Sequence, residues 1–92
     1  MRSKKREKIE RRFVILVNRV HNLNYQNVKD YCSIAKEFTS LLNEFNIIDL
    51  LIVRKTEDLQ LYNQISNLYN SCSEKFEQEN KEFCDKVENT LL

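Results

Sequence analysis

Apolar residues recur along this chain at steps of three and four, the signature of helices with one buried face. From Lys4 to about Asn22 they fall at Ile9, Phe13, Leu16 (with Val17), Val20 and Leu23. Val14 and Ile15 widen that stripe until the run FVILV, residues 13–17, is apolar almost all round. A helix of that kind is either central in a bundle or covered by something outside its own chain. The β-branched content of the run leaves a short strand as the alternative. The Asn-rich stretch 21–27 predicts a turn and an N-cap at Asn24 or Asn27, because Asn tolerates turn conformations and its side chain accepts from helix-start amides. Val28, Tyr31 (with Cys32), Ala35, Phe38, Leu41 (with Leu42) and Phe45 then predict a second amphipathic helix. Asn46 would end it in the position often taken by glycine.

Residues 47–53, IIDLLIV, are the ambiguous stretch. As helix, Ile48 and Ile52 continue the preceding stripe. As strand, the segment would pair in parallel with residues 13–17 in a small βαβα layout, a poorly covered sheet with two open edges. Helix is the preferred reading. Thr56 is placed to cap a final helix, with Glu57 and Asp58 opposing its dipole. Its stripe runs Leu59, Tyr62, Ile65, Tyr69, Cys72, Phe76, Phe83, Val87 and Leu91, interrupted where Glu79 or Asn80 should be apolar. A single helix from Glu57 to Leu91 would be about 50 Å long, against a diameter of about 32 Å for a compact chain of this size. Either it bends near Glu79 or a second protein buries its end. The expected architecture is all-α: a three- to four-helix bundle with a long, protruding C-terminal helix, in one domain over 1–92 with residues 1–12 as a basic N-terminal arm.

Composition agrees with helices. The 92 residues contain no Gly and no Pro, where average usage gives about 11. Hairpins would have to be built from Asn and Asp alone. Ala occurs once, at Ala35, against 11 Asn, 9 Lys and 7 Ile, and an AT-rich coding bias produces the same skew, so periodicity carries the fold argument. Without glycine there is no phosphate-cradling loop and no nucleophile elbow. A chain this short sits near the lower limit for a self-sufficient core. Neither apolar run approaches the ~20 residues of a membrane span, which leads to the expectation of a soluble intracellular protein, cytoplasmic or nuclear. Cys32, Cys72 and Cys84 cannot all pair with one another, no CxxC occurs and His21 is the only histidine. No metal, cofactor or small-molecule substrate is therefore expected. His21 with Cys32 lacks any group placed to orient a catalytic dyad, and no catalytic residue is assigned.

Charge changes the picture more. Residues 1–22 carry a net charge of +6 and residues 23–92 a net charge of −5. The basic residues Arg2, Lys4, Lys5, Arg6, Lys8, Arg11 and Arg12 are candidate phosphate contacts, although no aromatic interleaves with them as a single-strand stacking surface requires. The polarity also favours an antiparallel contact between the basic first segment and the acidic last one, within one chain or across a dimer. Ser33-Ile-Ala-Lys-Glu-Phe38, followed by Leu41 and Phe45, is similar to a stretch of a small subunit of the fungal DASH kinetochore ring, where glycine stands at the place of Ala35 and tryptophan at that of Phe45. The likeness is confined to residues 33–45 and lends no fold or activity to the rest of the chain.

The function expected from these features is protein–protein assembly: a small scaffold subunit that completes its core with another protein or a second copy of itself. The candidate contacts are Phe13, Leu16, Val17, Phe76, Phe83, Val87 and Leu91. The alternative is a subunit of a nucleic-acid-bound complex that grips phosphates through residues 1–12.

Overall fold

A computed structural model describes residues 4–51 and 56–91, apart from the side chains of Asp49 and Leu91. It is all-helical over those residues: α1 (Lys4–His21), α2 (Val28–Asn43), α3 (Ile47–Leu51), α4 (Thr56–Glu79) and α5 (Lys81–Leu91). Residues 13–17 lie inside α1 and residues 47–51 form α3, so the βαβα alternative is excluded where the chain is described; Ile52 and Val53 lie outside it.

The helices begin and end without glycine. After α1, the amides of Asn22 and Leu23 donate to the carbonyls of Arg19 and Val20, tightening the last turn. Asn24 Oδ1 accepts from the Gln26 amide at 3.1 Å, and Asn27 Oδ1 accepts from the Asp30 amide at 3.2 Å. Asn27 is thus the N-cap of α2, in extended conformation. At its far end α2 closes on Glu44, in ordinary right-handed conformation, whose amide donates back to Leu41 and Leu42. Asn46 does not terminate α2 in a left-handed turn as expected. Its Oδ1 accepts from the Ile48 amide at 2.9 Å, so it opens α3 instead. Thr56, expected as a cap, is the first residue of α4.

α1, α2 and α4 form the bundle. Three ring pairs fix α2 and the turn that follows it against α4: Tyr31 stacks on Phe76 with centroids 4.0 Å apart, Phe38 on Tyr69 at 5.0 Å, and Phe45, just past the end of α2, meets Tyr62 edge-on at 5.5 Å. The partners advance by seven residues from Tyr31 to Phe45 while they retreat by seven on α4. That is an antiparallel seam of heptad spacing, in which rings keep returning to the same side. α1 runs antiparallel to α2 with the same spacing, because Arg12 donates to Ser40 Oγ at 2.9 Å and Arg19 to Ser33 Oγ at 3.1 Å. α1 and α4 are therefore parallel. Ile9, Leu16, Tyr25, Ile34, Phe38, Leu41, Leu61, Ile65, Cys72 and Phe76 form the core between them. Leu50 is the buried residue of α3, and Ile48, expected to continue the α2 stripe, is exposed.

The long C-terminal helix is divided at Asn80 into α4 and α5. The Asn80 amide still donates to the Phe76 carbonyl, and the Cys84 amide to that of Asn80, each at 2.9 Å. Asn80 Nδ2 also donates to the Phe76 carbonyl and to the Tyr25 carbonyl, the latter at 2.7 Å. Among the described residues α5 touches no helix except α4. The molecule measures 48 × 30 × 15 Å with a radius of gyration of 15.4 Å, against about 12 Å for a compact chain of this length.

Candidate partner-binding surfaces

The expected contact residues divide sharply. Leu16 is 2 % exposed and Phe76 9 %. Both are consumed by the chain's own core and offer nothing to a partner, because the stripe that marks a binding face on an isolated helix also marks a core face inside a bundle. Phe13 is half-buried against that core. Val17 is exposed, and its neighbours Val14 and Ile15 are about three-fifths exposed. On α5, Phe83 is 48 % exposed and Val87 is exposed beside it; the Leu91 side chain lies outside the description. Three further apolar residues stand in solvent on α3: Ile47, Ile48 and Leu51. Of these, the sequence places only Ile48 on the buried stripe, with Ile52, which lies outside the described residues; it assigns Ile47 and Leu51 to neither side, because an apolar run this short displays no clear period.

Between the parallel helices α1 and α4 runs an open groove of 740 Å³. Phe13, Val17 and Leu61 line it, Val14 stands at its α1 edge, and Gln60 and Gln64 supply the polar margin on α4. Arg6 lies at one end. Its guanidinium is 2.9 Å from Glu57 and 3.3 Å from Asp58, where it also counters the dipole of the first turn of α4. The basic segment therefore does meet acidic residues of the last helix, but in parallel and at its start. Among the described residues the antiparallel contact with the acidic stretch 74–88 is not made, and the two charged regions lie toward opposite ends of the molecule.

The candidate phosphate residues are only partly free for that role. From Lys4 onward the basic segment is the first turns of α1; Arg2 lies outside the described residues. Arg6 is held by α4, and Arg12 by Ser40 and, at 3.7 Å, by Glu44. Arg11 is 3.9 Å from Glu7 but remains highly exposed. Lys4, Lys5 and Lys8 face solvent.

At the opposite end, Tyr25 donates to Cys72 Sγ at 3.5 Å. Burial pushes its hydroxyl well above the ordinary tyrosine range, and the Cys72 hydrogen bond acts in the same direction. Burial also raises Tyr31, opposed by its hydrogen bond with Ser73. These are packing positions with satisfied hydroxyls. All three cysteines are free thiols, with only Cys32 exposed. Among the described residues no group of His, Cys, Asp and Glu is arranged to hold a metal ion, and no helix is long and apolar enough to cross a membrane.

Three features thus leave apolar side chains open to solvent and are the candidate contact surfaces: the α1/α4 groove, the apolar side of α5 and the exposed residues of α3. A scan against protein-family models and searches of curated proteins and of solved structures found no match to this chain.

Proposed function

We propose that this chain is a non-enzymatic assembly module, a small helical scaffold subunit whose exposed apolar surfaces are covered by another protein chain. The observation that carries the reading is the exposure of Phe83 and Val87 four residues apart on α5, a regular helix that among the described residues has no other helix beside it except α4. Scattered single apolar residues at a surface need no explanation, but a stripe at helical spacing does. The groove beside Val14 and Val17 supports the same reading, since a channel between two helices accepts a third in the helix-in-groove mode. Capture of partners from native lysate, with and without nuclease, tests it. The expected result is a stoichiometric protein partner that survives nuclease and is lost with Phe83→Asp. Equal capture by wild type and by variants in both the groove and α5 would contradict it.

The exposure of Lys4, Lys5, Lys8 and Arg11 keeps the phosphate-binding reading as the second one. It requires nucleic-acid affinity that falls steeply with salt and disappears when those four residues are neutralised.

A further inference from the structure

Groove and stripe belong to the same chain, but they cannot meet within it. The groove ends on α4 at residues 57–64, and Phe83 lies about 33 Å beyond Leu61 at 1.5 Å per residue. The two surfaces match in form. Eleven residues of α5 make a rod of about 16 Å, and the α1 wall of the groove, from Arg6 to Asn18, spans about 18 Å. In charge the groove lining is mixed, with Glu10 beside an Arg6 already held by Glu57 and Asp58. The complementarity lies at the α1 rim, where Arg11 stands next to Glu10 and Val14, and in the helices as wholes: α1 carries seven Lys and Arg against Glu7 and Glu10, while α5 carries Glu82, Asp85 and Glu88 against Lys81 and Lys86.

We propose that the occupant of the α1/α4 groove is α5 of a second copy of this chain, in a reciprocal antiparallel dimer. The proposal rests on the assembly reading above and names the partner. With two elongated molecules side by side in opposite directions, the basic end of each lies beside the acidic end of the other. Phe83 and Val87 of one copy enter the groove over Phe13, Val17 and Leu61 of the other, while one acidic flank of α5 approaches the exposed Arg11. A two-fold axis repeats the contact, so both seats fill at once and assembly stops at two. The single-chain fold thereby becomes a pair of bundles, each with a fourth helix lent by its neighbour.

Sedimentation velocity of the full chain over a concentration series tests this. The expected result is a monomer–dimer equilibrium whose mass levels off at twice that of the monomer. Phe83→Asp on α5 should weaken it by about 30-fold or more, the loss of a central apolar anchor, and Val14→Glu, which sets a charge on the apolar edge of the groove, by about 10-fold or more, with circular dichroism and melting unchanged. Arg11→Glu, wholly outside the core, is a second groove-side variant and should weaken it in the same direction. An equimolar mixture of Val14→Glu and Phe83→Asp chains should recover part of the dimer, because that heterodimer keeps one intact seat. A wild type that stays monomeric overturns the proposal, as does mass that grows without limit, or a mixture no stronger than either variant alone. A monomer that still captures a different protein through Phe83 overturns self-pairing and leaves the assembly reading standing; a monomer that captures none overturns both.

Discussion

Leu61, Ile65, Cys72 and Phe76 on α4 and Phe83 and Val87 on α5 belong to one run of four- and seven-residue steps, but the first four are buried and the last two are exposed. The seven-residue step from Phe76 to Phe83 carries the pattern past the break at Asn80; the surroundings do not continue with it. The α1–α2 turn reaches the level of Asn80, where the Tyr25 carbonyl accepts from its side chain. Beyond that point Cys84 still reaches the core, but among the described residues no helix other than α4 lies beside α5. Periodicity therefore determines which side of a helix is apolar, and neighbours determine whether that side is covered. The exposed half of the run is what an assembly subunit requires.

Substitution should separate the two halves. Phe38→Ala, at a position with no exposed surface, should cost about 3–5 kcal/mol, a large part of the total stability of a small domain. Urea unfolding should show it, and a loss below about 1 kcal/mol would place the core elsewhere. Phe13→Asp should also destabilise broadly, because Phe13 packs on that core, and an unchanged melting curve would remove α1 from the bundle.

Ending the chain after Asn80 tests the other half. The cooperative melt should survive with little shift while partner binding is lost, and collapse of the fold would mean that α5 belongs to the core. Smaller effects sharpen the boundary. Asn27→Ala should cost about 1 kcal/mol by removing the α2 cap. Asn80→Ala should cost about 0.5–1.5 kcal/mol, the range of a typical lost hydrogen bond. A loss of several kcal/mol in either variant would show that the joint, not the aromatic seam, holds the fold.

The smallest effect is with pH. The folded chain keeps Tyr25 neutral above its ordinary range, so the unfolded chain loses that proton first. Stability should be full below about pH 10 and decline as pH rises past it, less steeply in Tyr25→Phe. Identical alkaline profiles would contradict a buried, neutral hydroxyl.

Much of this was legible in the residues. The α1, α2 and α4 stripes identify Ile9, Leu16, Phe38, Leu41, Ile65, Cys72 and Phe76 because 3.6-residue spacing is imposed by helix geometry itself. Ile34 and Leu61 escape a stripe traced too narrowly, since each lies at its edge, on the side that faces α1. The seven-residue spacing of Tyr31, Phe38 and Phe45, mirrored by Tyr62, Tyr69 and Phe76, carries the α2–α4 register in plain view. Pairing the two sets, however, requires knowing that the helices are antiparallel. Parallel α1 and α4 follow only from counting three helices in sequence, which is why Arg6 meets Glu57 and Asp58 rather than the acidic stretch near the C-terminus. For the contact surfaces the residues indicate Phe83 and Val87 through the overhang argument. They misplace Leu16 and Phe76 and miss Ile47, Ile48 and Leu51, since exposure is a property of the whole packing.

Amide hydrogen exchange, followed residue by residue on the dilute chain, tests the contrast most directly. Residues 34–41 and 61–76 should exchange slowly, as the bundle that opens only by global unfolding. Residues 84–90 should exchange fast at dilution and gain protection as concentration or partner rises. Slow exchange in α5 equal to that in α4, and independent of concentration, would contradict the account.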